Sequence, residues 1–173
     1  IGEEIEVICT AASDLSRDKV GALIVIERTT KLGEYIKSGV VIDAGMSTQL
    51  LKNIFFNKAP LHDGAVIIRN NRIYAAGCFL PLSSQDDINV DLGTRHRAAI
   101  GLSEYSDAVV IVVSEETGNI SVALEGNIKR NYNYTTLKQE LNSLLAIQQP
   151  SEHIKKHSKK LSNKKKEKDN NDN

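Results

Sequence analysis

The chain has 173 residues, with 22 basic and 22 acidic side chains and a formal net charge of zero. Eight of the basic residues are lysines in the last 24 positions, beside four acidic residues, so the chain before Pro150 is slightly acidic. A slightly acidic body argues against a broad nucleic-acid footprint, and any phosphate ligand should be small and held by a few placed residues.

No stretch of the sequence reaches the roughly 18 apolar residues that a membrane span needs, and no signal peptide is present. Cys9 and Cys78 lie in apolar surroundings without the spacing of metal ligands, which predicts reduced core residues of a cytosolic protein. Because the chain begins at Ile1 rather than at methionine, the sequence does not decide whether a targeting or membrane segment precedes it.

The first half of the chain predicts two helices and two strands. Apolar residues at helical spacing in residues 1–12 predict a helix, and the continuous apolar run at 21–27 predicts a buried strand. Residues 39–43 predict a short second strand. Ser47 then caps a helix that ends at residues 57–60, and the apolar face of that helix consists of Leu50, Leu51, Ile54 and Phe55.

The second half predicts a hairpin, two helices and a further pair of strands. Residues 61–82 form two strands joined by an Asn-Asn pair at 70–71, which tolerates the left-handed turn conformation. After a polar loop at 83–91, a helix begins at about Thr94. The apolar runs within 108–124 are strands around a tight turn, and a last helix has the apolar face Leu137, Leu141, Leu144 and Leu145.

Hairpins that alternate with helical crossovers predict an α/β fold. We expect a single domain, residues 1–149, with a mixed parallel and antiparallel central sheet flanked by helices. The polar tail, residues 150–173, has too little apolar surface to offset the entropy of ordering it, and we expect it to be disordered. Its lysines are typical of a solvated chain terminus, and also of a segment that binds anionic lipid or nucleic acid. The sequence does not distinguish between these alternatives.

The helix that begins at Thr94 has an unusual first turn. Arg95 and Arg97, with His96 between them, occupy positions where acidic residues usually meet the unpaired N–H groups and the positive end of the helix dipole. A bound anion, most naturally a phosphate, would offset these positive charges. The alternative is that both arginines point into water or pair with local carboxylates.

Two further polar segments lie at predicted strand ends, where α/β sheets commonly bind ligands. Asp63, between His62 and Gly64, could take a proton or hold a metal ion, or it could belong to an ordinary Asp-Gly turn. The Ser-Glu-Glu segment at 114–116 could meet a cation carried by phosphates, or form a polar turn. The motifs of P-loop, dinucleotide-binding and zinc-hydrolase proteins are absent, so these common classes lose support.

Four segments, in chain order, carry a family resemblance: PLHDGAVII, CFLPLS, LGTRHRAAIGLSE and IVVSEETG. Together they resemble the catalytic domain of the diadenylate cyclases, in which D-G-A and R-H-R motifs mark the active site. The resemblance covers roughly residues 1–130 and is greatest for the membrane-anchored CdaA (DacA) type, in which Leu-His precedes D-G-A. It implies the DAC fold, condensation of two ATP molecules into cyclic di-AMP and two pyrophosphates, and Mg²⁺ or Mn²⁺ as the metal.

The resemblance also implies a catalytic set and a metal site. Asp63 would assist removal of the proton from the ribose 3′-hydroxyl, and Arg95 and Glu116 would complete the catalytic set. His62 and Ser114 would hold the metal on the phosphates, with Glu116 nearby as a second acidic group.

Further implied roles concern nucleotide binding. The residues expected to contact the sugar or the phosphates are Gly64, Ala65, Thr94, Arg95, His96 and Ser114. The adenine pocket would be formed by Phe79, whose ring stacks on the base, and Leu80, whose backbone reads its edge. Phe79 stands where close relatives are expected to have tyrosine, a change that preserves stacking. Arg97 lies about 200° around the helix from Arg95 and is expected to make structural contacts instead.

The product that the resemblance implies constrains the assembly. In cyclic di-AMP each 3′-oxygen is bonded to the phosphorus of the other nucleotide, and one domain supplies one ATP site, so catalysis requires a face-to-face homodimer. The resemblance further implies a membrane anchor before the chain, which would then be the cytoplasmic domain of an anchored enzyme. It implies a YbbR-repeat regulator and a phosphoglucosamine mutase as partners. No nucleic-acid partner is expected, because the folded part of the chain is slightly acidic.

Three other functions stay open on the sequence alone. A nucleotide sensor would keep the base and phosphate contacts but lose the acid, whereas Asp63 is present. A purely structural interaction domain would have no reason to gather these polar motifs, and it would not bind ATP. A different nucleotidyltransferase or a nucleotide hydrolase would use the same pocket and release other products.

Overall fold

The apolar runs of the sequence form the centre of a seven-stranded sheet in the computed structural model. The structure describes residues 2–89 and 92–146. The strands are β1 (Ala22–Ile26), β2 (Val40–Gly45), β3 (Ala65–Arg69), β4 (Arg72–Cys78), β5 (Val109–Val113), β6 (Ile120–Leu124) and β7 (Asn127–Tyr132). The helices are α1 (Gly2–Arg17), α2 (Gly33–Ile36), α3 (Thr48–Phe55), α4 (Thr94–Tyr105) and α5 (Tyr134–Ala146).

The sheet is mixed, with the strand order β2-β4-β3-β1-β5-β6-β7. In the described part of the chain β1 and β3 are parallel, and the other neighbouring strands are antiparallel. Every residue of β1 and of β5 is buried, so the centre of the sheet is covered on both faces. The α/β fold class with a mixed sheet flanked by helices, predicted from the sequence, is confirmed.

Helix α4 delivers its N-terminus to one edge of the sheet. It packs on β1, β5, β6 and β7, and α2 packs on β4, while α1 contacts α3 and β5. Ala98, Ala99 and Leu102 of α4 belong to one apolar cluster with Leu23 of β1 and Val110 of β5. The helix therefore has a fixed position over the central strands.

Several predicted details are confirmed. Ser47 is the N-cap of α3, and its hydroxyl accepts a hydrogen bond from the N–H of Leu50 at 3.2 Å. Asn70 and Asn71 form the hairpin turn with φ angles of 49° and 58°, in the left-handed region. Helix α4 begins at Thr94.

The prediction missed two elements. Strand β7 consists mostly of exposed polar residues on the edge of the sheet, and it forms by pairing with β6. Helix α2 has four residues, too few for a helical period to be visible in the sequence. Tyr105 follows Ala98 and Leu102 at helical spacing, yet it is 68% exposed because α4 ends there.

The two cysteines are core residues, as predicted. Cys9 and Cys78 are buried and unpaired, and burial raises the pKa of each thiol to about 11. Both thiols are therefore protonated and poorly nucleophilic at neutral pH.

The chain divides into two units between Lys138 and Gln139, inside α5. The first unit contains the sheet, and of the second the structure describes residues 139–146, the remainder of α5. The tail predicted to be disordered, residues 150–173, lies outside the described residues. Among the helices of the described ranges, none has the length and apolar character needed to traverse a bilayer.

Gly101, in α4, allows the segment 81–83 to cross the helix. A β-carbon at Gly101 would collide with the carbonyl oxygen of Pro81 and would lie 2.7 Å from the backbone nitrogen of Ser83. That nitrogen donates a hydrogen bond to the carbonyl oxygen of Arg97 at 3.0 Å. The crossing segment is thus held directly on the helix.

The substitution Gly101→Ala tests this crossing. Alanine inside a helix is normally more stable than glycine by about 1 kcal/mol, but here we expect a net loss of about 2 kcal/mol because the backbone of the crossing segment must move. Urea unfolding measures the change, with Gly33→Ala as the control, since a β-carbon there would meet no atom within 4 Å. A stabilised Gly101→Ala protein would contradict the close crossing.

Glu27 and Arg69, which follow β1 and end β3, form a bidentate ion pair. Nε and Nη2 of Arg69 each lie 2.9 Å from a carboxylate oxygen of Glu27, and the N–H of Leu32 donates to the same carboxylate at 3.0 Å. Burial alone would raise the pKa of Glu27, but these hydrogen bonds and the charges of Arg69 and Lys31 lower it overall.

The substitution Glu27→Gln should remove a pH-dependent part of the stability. Because the folded-state pKa lies below the ordinary value of 4.5, the ion pair stabilises the fold above that value and this contribution is lost as the pH falls through the folded-state pKa. We expect the free energy of unfolding to fall by about 2 kcal/mol at neutral pH, and the difference to shrink in acid.

Urea unfolding at neutral and at acidic pH measures both effects. Asp86→Asn, at an exposed carboxylate of the loop after β4, is the matched control and should show little change at either pH. A difference between the Glu27→Gln protein and its parent that stays constant with pH would exclude the ionised pair as its source.

Candidate functional site

The polar segments singled out in the sequence meet at one edge of the sheet. Because β3 is parallel to β1 and β5 is antiparallel to it, the starts of β1 and β3 and the end of β5 share this edge. Gly21 precedes β1, Asp63 lies shortly before β3 and Ser114 follows β5. The pairing of the strands therefore joins segments that are far apart in the sequence.

A cavity of about 430 Å³ opens at this edge, beside the N-terminus of α4. Six of the site residues predicted from the sequence line it: Asp63, Thr94, Arg95, His96, Ser114 and Glu116. Its other lining residues are Leu92, Gly93, Val113 and Glu115. The predicted residues His62, Gly64, Ala65, Phe79 and Leu80 are not part of this lining.

The first turn of α4 presents unpaired backbone donors to the cavity. The N-cap residue is Gly93, which has no side chain that could accept a hydrogen bond from the first N–H groups of the helix. The first turn also contains no acidic residue. The N–H groups and the positive end of the helix dipole are therefore available to an anion.

Arg95 supplies a permanent positive charge at the same place. Its side chain is 26% exposed, and Nη1 lies 3.4 Å from Oε2 of Glu115, whose side chain is 66% exposed. The sequence left open whether the arginines of this turn bind an anion, point into water or pair with a local carboxylate. In the structure Arg95 pairs with the carboxylate of Glu115. An exposed pair of this kind is weak, so a phosphate could replace the carboxylate.

His96 is buried and Arg97 turns away from the cavity. His96 is 6% exposed, and burial, followed by the charges of Arg130 and Arg95, lowers the pKa of the imidazole, which is therefore neutral at neutral pH. Nη1 of Arg97 lies 3.4 Å from the carbonyl oxygen of Ser83, the kind of structural contact predicted for it. The cationic character of this helix start at the cavity therefore comes from Arg95.

Asp63 faces the cavity with a free carboxylate. It is exposed, and it forms no ion pair or side-chain hydrogen bond with another residue of the described ranges. Gly64 holds this segment close to β4, because its φ angle is 87° and a β-carbon there would lie 2.7 Å from the carbonyl oxygen of Cys78. Ala65 is fully buried, so its side chain belongs to the core.

His62 and Ser114, the predicted metal ligands, differ in their hydrogen bonds. Nδ1 of His62 lies 2.7 Å from the carbonyl oxygen of Ala59, which favours a proton on Nδ1 and leaves the lone pair of Nε2 free. Oγ of Ser114 accepts hydrogen bonds from the N–H groups of Glu116 and Thr117, each at 3.3 Å. The described residues contain no group of three or more His, Cys, Asp or Glu side chains able to hold a metal ion.

Phe79 and Leu80 follow β4 beside the Asp63 segment. Phe79 is 61% exposed, and its N–H donates to Oγ of Ser38 at 2.9 Å. Leu80 is half-buried against the apolar core. The backbone of Gly64 lies close to the backbone of Cys78, and Phe79 is the next residue in the chain. Phe79 is therefore near the segment that carries Asp63.

The structure adds lining residues that the sequence did not single out one by one. Glu115 belongs to the segment 114–116, which the sequence associates with a cation or a polar turn, and in the structure it pairs with Arg95 instead. Leu92 and Val113 form an apolar part of the cavity, and no local pattern distinguishes them from other core residues.

Comparison with known proteins identifies the family. The family model DAC, described as "DisA bacterial checkpoint controller nucleotide-binding", matches residues 9–128. The chain is 50% identical over 137 residues to the cyclic di-AMP synthase CdaA of Bacillus subtilis, which covers 79% of this chain and 50% of that protein. It is 51% identical over 124 residues to the diadenylate cyclase CdaS of Bacillus thuringiensis, covering 72% of this chain and 62% of the relative.

A solved structure is similar as well. A double mutant of DacA from Staphylococcus aureus matches with a TM-score of 0.80 and 42% sequence identity, over 82% of this chain and 94% of that chain. The chain spans about half the length of CdaA. The family match includes every residue that lines the cavity. The chain therefore belongs to the DAC family of nucleotide-binding domains, which confirms the resemblance to the diadenylate cyclases.

Proposed function

We propose that the chain is the catalytic domain of a diadenylate cyclase, which condenses two ATP molecules into cyclic di-AMP and two pyrophosphates. The observation that carries the proposal is the cavity, where the free carboxylate of Asp63, the uncapped start of α4 and the acidic turn at 114–116 face one space. The names of the two relatives, cyclic di-AMP synthase and diadenylate cyclase, support the same activity.

In this proposal Asp63 takes the proton from the ribose 3′-hydroxyl as that oxygen attacks the α-phosphorus of the other ATP. Its carboxylate has no ion pair within the described ranges and is free to accept a proton. The backbone of Gly64 and Ala65 lines the path of the sugar. The exposed ring of Phe79 stacks on adenine, and the backbone of Leu80 reads the edge of the base.

The start of α4 binds the phosphates. Thr94, Arg95 and His96 offer backbone N–H groups, and the guanidinium of Arg95 exchanges its carboxylate partner for a phosphate and stabilises the leaving pyrophosphate. In the empty site burial and the charges of Arg130 and Arg95 lower the pKa of His96, so the positive side chain that meets the incoming phosphates is Arg95. Since Oγ of Ser114 already accepts bonds within its turn, its O–H is free to donate to a phosphate oxygen.

We also propose a divalent metal site for Mg²⁺ or Mn²⁺ at this cavity. Glu116 and Ser114 line the cavity and would supply a carboxylate and a hydroxyl oxygen, the latter in place of one of the two 3.3 Å N–H bonds that Oγ accepts. His62 lies outside the lining, next to Asp63, and would supply Nε2. Because the described residues form no complete metal cluster, such an ion would depend on phosphate oxygens for its other ligands. A bound ion would neutralise part of the negative charge of the phosphates.

The chemistry of the product requires two ATP sites that face each other, so we propose that two chains form an isologous homodimer. From the resemblance to the CdaA type we further propose that the chain is the cytoplasmic part of an enzyme anchored in the cell membrane. A YbbR-repeat regulator and a phosphoglucosamine mutase are its proposed protein partners.

The first test is product analysis. Incubation of the chain with ATP and Mg²⁺ or Mn²⁺ should give cyclic di-AMP, resolved by chromatography, and Asp63→Asn should lower the rate by at least about 100-fold because the general base is lost. Asp86→Asn is the control for loss of an exposed carboxylate. ATP binding without a cyclic product would favour a sensor, and ADP or AMP as the main product would indicate another phosphoryl-transfer enzyme.

A mixing experiment tests the arrangement of the two sites. Asp63 and Arg95 of one chain line the same cavity, so every pair formed in a mixture of Asp63→Asn and Arg95→Ala chains contains damaged sites. We therefore expect the mixture to be no more active than the separate variants. Recovery of cyclic di-AMP synthesis on mixing would contradict the proposal that both bonds of the product form between the same two chains.

A further inference from the structure

The guanidinium of Arg95 lies in a space that exists because residue 21 has no side chain. A β-carbon built at Gly21 would lie 2.5 Å from Nη1 of Arg95, 2.6 Å from its Cζ and 3.0 Å from its Nη2. These are the three atoms nearest to that position, and all belong to the guanidinium. The charged end of Arg95, rather than its aliphatic stem, therefore rests against Gly21.

The backbone at Gly21 does not itself require glycine. Among the described glycines, positive φ angles occur at Gly64, Gly77, Gly118 and Gly126, so Gly21 has a conformation open to L-residues. Gly21 is buried, and it directly precedes β1 at the edge where the cavity opens. The guanidinium of Arg95 is thus the nearest group that a methyl group at this position would meet.

The contacts on two sides define where the guanidinium lies. Gly21, on the strand side, provides the recess, and Glu115, in the turn after β5, lies 3.4 Å from Nη1. Arg95 is anchored at its other end by α4, which packs on β1. The guanidinium is therefore held at the cavity before any ligand arrives, which reduces the ordering that binding would require.

We propose that Gly21 is a positioning residue for Arg95: its missing side chain forms the recess that directs the guanidinium toward the nucleotide phosphates. This inference rests on the proposed nucleotide site and extends it to a residue in a separate segment of the chain. A side chain at position 21 would displace the guanidinium and leave the helix start and Asp63 in place.

The test is a double-mutant cycle on Gly21→Ala and Arg95→Ala. Binding of α,β-methylene ATP, which cannot undergo the reaction, is measured by calorimetry, and KM and kcat for ATP are measured in parallel. We expect Gly21→Ala to weaken binding of the analogue about tenfold in the parent chain. In the Arg95→Ala chain, where the recess is empty, Gly21→Ala should change binding by less than about twofold.

A control variant and a stability measurement separate positioning from structural damage. Gly45→Ala places a β-carbon where no atom lies within 4 Å and should leave binding and activity unchanged. The thermal unfolding midpoint of the Gly21→Ala chain should equal or exceed that of the parent, because the backbone conformation accepts alanine. The same unfolding measurement on the double variant shows whether position 21 accepts a methyl group once the guanidinium is absent.

The proposal fails if Gly21→Ala weakens analogue binding equally with and without Arg95, or leaves binding unchanged in the parent chain. It also fails if both Gly21→Ala proteins are destabilised, since the methyl group would then collide with something other than the guanidinium. A parent chain that binds the analogue but makes no cyclic di-AMP would overturn the proposed function, while the cycle on binding would still decide the role of Gly21.

Discussion

The position of β1 between a parallel and an antiparallel neighbour is the constraint on which the site depends. It places two strand starts and one strand end at the same edge, so that Asp63 and the turn at 114–116 face a common space. Helix α4 packs across β1 and β5 and brings its N-terminus to that edge. A shift of one residue in the pairing of β1 would exchange the side chains packed on its two buried faces, so close packing on both faces keeps the register and the site together.

Positive and negative groups line the same cavity, and the ion pair between them is weak enough to be exchanged. Arg95 and the start of α4 are positive, whereas Asp63, Glu115 and Glu116 are acidic and largely exposed to solvent. An exposed carboxylate holds the guanidinium only weakly. Such a site is stable in the absence of a ligand, yet a polyphosphate can displace the carboxylate because it offers more negative charge and meets the helix dipole as well.

The sequence predicts those features that depend on residues close together in the chain. The apolar runs that become β1 and β5, the turn at Asn70 and Asn71, and the start of α4 at Thr94 all have local patterns. The polar strand β7 has no such pattern, because it becomes a strand only through pairing with β6. The contacts of Arg95 with Glu115 and Gly21 join distant segments, so no spacing in the sequence indicates them.

The crossing of the segment 81–83 over α4 at Gly101 has a mechanical consequence for ligand size. This segment continues directly from Phe79 and Leu80, and its backbone is bonded to Arg97 in the same helix whose first turn lines the cavity. The segment that leads from Phe79 and the helix that carries Arg95 are therefore linked by a direct backbone contact. In the proposed function Phe79 stacks on adenine and the start of α4 binds the phosphates, so this contact limits how far apart the two ends of one bound nucleotide can lie.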